Sequence, residues 1–171
     1  LVVVAVSASA APQAGDMEAL LAGVETIAAP GWPGCLSVYG PDAFVVVTGG
    51  ASRGVQAPVV AAARLGEGRL VVLGHNGYFG AEALKTGDTG RLMANAARWL
   101  SGGKTPSVAV QGLPDTLALL KDESIAATDL SGGDWTQKLA GCNVLVTTRP
   151  PAYGPAEVEA VSAFIRAGGG L

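Results

Sequence analysis

From Ser107 onward, short apolar runs alternate with amphipathic stretches, and this alternation restricts the possible folds more than any other feature of the chain. Residues 107–110, 125–129 and 143–148 read as strands, because each is short, rich in apolar residues and bounded by turn formers. Residues 114–121 and 155–167 read as helices. Each opens on a proline, whose missing N–H costs nothing in a first helical turn. Val158, Val161, Phe164 and Ile165 form the inward stripe of the second. Strand–helix–strand order with such spacing implies a parallel sheet covered by helices. Gly168-Gly169-Gly170-Leu171 reads as a helix stop followed by entry into another strand, so the chain is expected to be a C-terminally truncated piece of a longer protein.

The first half follows another plan. Residues 16–27 place Met17, Leu20, Leu21, Val24 and Ile27 on one helical stripe, with Asp16 as the cap. The run Pro30-Gly31-Trp32-Pro33-Gly34 cannot continue a helix. Residues 35–39 and 44–48 read as two strands divided by Gly40-Pro41-Asp42, residues 49–54 as a loop, and residues 59–64 and 69–73 as a hairpin about Gly66-Glu67-Gly68. A helix over 89–100 turns Leu92, Ala96, Trp99 and Leu100 inward and closes at Gly102-Gly103. Trp32 and Trp99 are expected to plug the core. Asp42, Arg64 and Arg69, beside turns, are expected to be solvated or turn-stabilising.

Composition removes several function classes. With 171 residues, 49% hydrophobic and 15% charged, the chain can bury a real core. The net charge is −3 and the eleven Lys and Arg are dispersed singly, which leaves no basic stripe for a nucleic acid. No run approaches the roughly 20 apolar residues of a membrane span. Cys35 and Cys142 form no CxxC pair, and one histidine cannot complete a zinc set, so neither a metal nor a cofactor is expected. The two cysteines read as buried free thiols in preference to a disulfide. The opening LVVVAVSASA, apolar and then small, is similar to the end of a signal peptide with an A-x-A site at Ala8-Ser9-Ala10. Residues 1–14 are therefore read as a signal remnant, which implies a secreted, periplasmic or cell-surface protein; the rival reading is an edge strand.

Three stretches of the sequence bear on chemistry. In GEGRLVVLGHNGYF, residues 66–79, the only histidine follows a strand in a glycine-flanked loop, where open α/β sheets place their sites. His75, Asn76 and Tyr78 are the candidate ligand contacts, against a purely structural histidine. Residues 45–55, VVVTGGASRGV, resemble the glycine-rich entry of short-chain dehydrogenases. Gln56 replaces the last glycine, Pro58 falls where the helix belongs, and Tyr153 is followed by Glu157 where the family's Tyr-x-x-x-Lys needs lysine. For nucleophilic catalysis, Cys142 precedes its strand instead of ending it, so no triad assembles. An amidotransferase-like hydrolase with its nucleophile beyond Leu171 is the alternative.

Residues 34–44, 68–79, 95–100 and 164–171, in that order, together resemble one family. It comprises the TRP-channel-associated factors and related bacterial proteins with an enhancin-like, mucin-directed metallopeptidase domain; the likeness runs over residues 16–171. The resemblance implies a Rossmann-like, class I glutamine-amidotransferase-like layer without its triad (residues 104–171) behind a β-rich portion (residues 15–103). It also implies a non-catalytic accessory module. Any His-Glu-x-x-His peptidase would lie downstream, since this chain holds no His-Glu pair. The implied partners are a protein, a glycan or the downstream domain.

Overall fold

The computed structural model describes residues 10–31, 34–50, 54, 56–132, 135–148 and 153–171. β1 (Ala43–Gly50), β2 (Gln56–Leu65) and β3 (Gly68–Leu73) form an antiparallel meander. β4 (Ser107–Gln111), β5 (Ala126–Asp129) and β6 (Val144–Thr147) form a parallel sheet of order β5-β4-β6. The helices are α1 (Ala10–Leu21), α2 (Ala81–Leu84), α3 (Thr89–Leu100), α4 (Pro114–Asp122), α5 (Trp135–Leu139) and α6 (Pro155–Arg166), with a 3-10 turn at Asn76–Phe79. This is a mixed α/β fold, as the alternation of periods implies.

The chain end joins the two sheets. Gly170 bridges in parallel to Arg69 of β3 on one side and to Val144 of β6 on the other. The lateral order is thus β1-β2-β3, residues 169–171, then β6-β4-β5. The expected strand entry at the end of GGGL is what the backbone does. Its glycines admit it between two helices: a Cβ on Gly169 would meet the Phe164 ring of α6, and one on Gly170 would meet Leu100 of α3 at 2.5 Å from its carbonyl oxygen.

Burial follows the strand period. Phe44 and Val46 of β1, Val60 and Ala62 of β2, and Val108, Val110 and Val144 pack with Leu20 of α1, Leu92, Ala96 and Leu100 of α3, and Leu120 of α4. Ala109 and Leu145 turn to the opposite face, against Leu139 of α5 and Val161 and Phe164 of α6. The first cluster contains residues from both sides of the expected boundary at 103/104.

Several expectations need correction. The first helix ends at Leu21, not at residue 27, because Gly23 adopts φ +66° and turns the chain. Residues beyond it are held instead by Asp88, whose Oδ2 accepts the Glu25 and Thr26 amides at 2.9 and 3.3 Å. Asp16 lies inside that helix and does not cap it. α1 begins at Ala10, and residues 1–9, most of the stretch read as a signal remnant, lie outside the described residues, as does Trp32, so the structure corrects neither reading. Residues 35–39 join no ladder. Their described backbone tie is the Leu36 amide to the Pro58 carbonyl at 2.9 Å, beside the irregular register of β1 with β2. Gly34 has its backbone packed onto that of Gly74, too close for any side chain on either residue, so the segment is anchored at the end of β3 and forms no ladder of its own. Cys35 is consequently exposed and Cys142 half-buried; both are free, but neither is the buried thiol expected.

Candidate functional site

A cavity of about 390 Å³ opens at the carboxyl ends of β3 and β6, the position at which open sheets usually bind ligands. Val71 and Leu73 flank it on one side, Val146 and Thr147 on the other, and Ala97 and Leu100 of α3 cover it. Among the described residues no charged side chain lines it; its polar edge is His75, Asn76, Thr116, Thr147 and Thr148.

Glycines at 74 and 77 let the chain leave β3 and wind at once into the 3-10 turn. His75 caps that turn. Its backbone is extended (φ −148°, ψ 138°), and its Nδ1 accepts the Gly77 amide at 2.9 Å. A neutral imidazole that accepts at Nδ1 carries its proton on Nε2. The ring is walled in by Gly31 and Gly77: a Cβ on either would lie 3.2 Å from Nε2 or 2.8 Å from Nδ1, respectively. Asn76 lines the cavity beside it. Tyr78 does not. It is 2% exposed and packs with Leu84 and Met93, and burial pushes its hydroxyl pKa up. Of the three candidates, the structure brings two to the cavity and sends one into the core.

The sequence reading passed over a second polar group at the same end of the sheet. The Tyr153 hydroxyl donates to Gln111 Oε1 at 2.7 Å, the Thr147 hydroxyl lies 3.1 Å from the same oxygen, and the Tyr153 ring stacks on Trp135 at 5.4 Å between centroids. Gln111 and Thr147 are the last residues of β4 and β6. Their place at strand ends was the available signal.

The strongest electrostatic cluster lies away from the cavity. Asp16 of α1 accepts Arg64 Nε and Nη2 at 2.8 and 2.7 Å and Trp99 Nε1 at 2.9 Å. Burial pushes its carboxyl pKa up, but the Arg64 and Trp99 hydrogen bonds and the Arg64 and Arg69 charges outweigh this and hold it below the usual range. Arg69 lies over the Trp99 ring at 5.1 Å and donates to the Trp99 carbonyl. Trp99 therefore plugs the core as expected. Arg64 and Arg69 are not loosely solvated turn residues; they pin β2 and β3 to α1 and α3.

Two chemistries lack their geometry. Residues 51–53 and 55 of the glycine-rich stretch 45–55 lie outside the described residues; among the described ones, Gln56 and Pro58, where the dehydrogenase helix would run, belong to strand β2. Cys142 precedes β6, at the end of the sheet opposite His75. Among the described residues, no group of three or more His, Cys, Asp or Glu is placed to hold a metal ion. No helix among them is long and apolar enough to cross a membrane.

Comparison with known proteins fits this architecture. The chain is 32% identical over 158 residues to TRPM8 channel-associated factor 2 of Bos taurus, and 31% identical over 165 residues to the TRPM8 channel-associated factor homolog of Danio rerio. Each match covers 91% of this chain but only 16% of the relative. The IMPa metallopeptidase from Pseudomonas aeruginosa shares the fold with a TM-score of 0.67 over 91% of this chain and 18% of its own, at 16% identity. The structure of IMPa in complex with an O-glycopeptide gives 0.66 over 92% of this chain and 19% of its own, at 18% identity. The family model TCAF_N, described as TRPM8, N-terminal domain, matches residues 2–171, and the chain belongs to that family.

Proposed function

We propose that this domain is a non-catalytic accessory module of a larger exported protein, one that engages a protein or glycan partner and positions an enhancin-like peptidase domain on the same polypeptide. One observation carries the reading: at the strand ends where an α/β sheet would place its chemistry, the cavity is aliphatic and its histidine is committed to capping a turn. The relatives named as channel-associated factors support a protein partner, and the shared fold with a metallopeptidase supports the peptidase association. The parallel β5-β4-β6 layer with helices on both faces supports the amidotransferase-like description of residues 104–171. Export rests on the apolar-to-small segment at residues 1–10.

The test is deletion of this domain from the full-length protein. Turnover of a short peptide substrate should persist, while capture of a mucin-type glycoprotein or a membrane-protein partner falls at least tenfold. Hydrolysis of glutamine, ester or peptide by the 171-residue chain, abolished by His75→Ala, would overturn the reading. Retention of the protein in the cytoplasm of its native host would remove the export part alone.

A further inference from the structure

The cavity and the sheet edges beside it coincide in a way that specifies an occupant. Residues 169–171 run between β3 and β6 and bond to both. The Leu171 amide donates to the Arg69 carbonyl at 2.9 Å and the Val71 amide to the Leu171 carbonyl at 2.8 Å. On the other side, the Gly170 amide donates to the Asn143 carbonyl at 3.0 Å and the Leu145 amide to the Gly170 carbonyl at 2.8 Å. Both pairings are parallel.

The hydrogen-bonding alternation continues ahead of Leu171. The Gly74 amide donates to the Val59 carbonyl of β2, so Val72 and Gly74 turn their polar groups to β2 while Val71 and Leu73 turn theirs away from it. On β6, Leu145 faces Gly170, and Thr147, two residues on, faces the same side. The Val71 carbonyl, Leu73 amide, Leu145 carbonyl and Thr147 amide thus line one strip from both edges. None has a backbone partner among the described residues. Val71, Leu73, Leu145 and Thr147 also line the 390 Å³ cavity. Sheltered backbone groups in two facing rows require partners at strand spacing.

We propose that this cavity is the lane of a further β-strand: an extended segment of the longer polypeptide, in line with residues 169–171 and parallel to β3 and β6. From the level of Leu171 to that of His75 and Thr148 the lane takes about four residues, roughly 13 Å at strand rise. Gly170 faces Leu100, so by the two-residue period alternate positions of the occupant face α3. With no charge among the described lining residues, and with Ala96 and Ala97 of α3 lining the lane, those positions are uncharged and apolar. Relatives in which this domain is 16% of the length have ample chain to supply such a strand. The inference does not depend on the accessory role, since a catalytic protein would need the same lane filled.

Amide exchange on the full-length protein tests it. The Leu73 and Thr147 amides should exchange about a thousandfold more slowly than free peptide. Exchange of both amides at the free-peptide rate overturns the proposal and leaves an open pocket in its place.

Discussion

At the residue scale, Asp16 gathers more elements than any other polar side chain among the described residues. Its two oxygens take the guanidinium of Arg64 from β2 and the indole N–H of Trp99 from α3, so one carboxylate ties together three elements distant in sequence. Removing a buried charge partner leaves donors without acceptors, which costs more than the pair contributes. Asp16→Asn is expected to lower stability at neutral pH by about 2–3 kcal/mol in urea unfolding. The pH dependence follows from the direction of the shift. The folded carboxyl pKa lies below the unfolded value of about 3.9, so its contribution is fully present above that value and is lost as pH falls through the folded one. The acid arm of the stability curve should therefore be flatter in Asp16→Asn than in the parent; an equally steep arm would assign acid sensitivity to other carboxylates. His75 offers a sharper contrast. His75→Ala removes the cap on the Gly77 amide and should cost about 1 kcal/mol, whereas His75→Asn, with an oxygen able to accept the same bond, should restore most of it. Equal losses in the two variants would argue that the ring's packing against Gly31, not its hydrogen bond, is what matters.

At the element scale, the strands and helices that pack on their own period were legible, and those that depend on a distant contact were not. The patterns over 107–110, 114–121 and 155–167 mark elements that the structure has within one or two residues, because burial on one face imposes the period. The stretch 35–39 is apolar enough to read as a strand. Its fate is decided by the contact of Gly34 with Gly74, forty residues away, which no local pattern reveals. The end of α1 was misplaced because Val24 and Ile27 continue the helical stripe on an extended segment that Asp88 holds. His75 and Asn76 were found because they follow a clear strand; Gln111 and Tyr153 were missed because their meeting depends on the order β5-β4-β6, which sequence spacing leaves open. The glycines carry the same lesson in energetic form. A Cβ on Gly170 would sit 2.5 Å from the Leu100 carbonyl oxygen, and backbone cannot move aside as a side chain can. Gly170→Ala should cost about 2–3 kcal/mol, as overpacked sites do. Gly15→Ala in α1, with nothing among the described residues within 4 Å of the new atom, should stay within about 0.5 kcal/mol or stabilise slightly. Similar melting temperatures for the two variants would mean that the 169–171 segment does not sit as tightly between β3 and β6 as described.

At the scale of the whole molecule, two features join the antiparallel meander to the parallel layer. One is the backbone seam at 169–171, which bonds to both. The other is the core cluster in which Phe44 and Val60 of the meander share α3 with Val108 and Val144 of the parallel layer. Because α3 buries one face against both sheets, unfolding either sheet exposes the apolar stripe of Leu92, Ala96 and Leu100 and removes support from the other. A single cooperative transition follows. Urea unfolding followed by the far-ultraviolet signal of the backbone and by the near-ultraviolet signal of the tryptophans should give coincident midpoints. Gly170→Ala should move both midpoints together, since the shared helix still couples the sheets after the seam is strained. Separate midpoints in the parent would show that the core does not unite the layers. Separate midpoints appearing only in Gly170→Ala would instead assign the coupling to the seam, and would make the strand lane beside it the element on which the integrity of the domain rests.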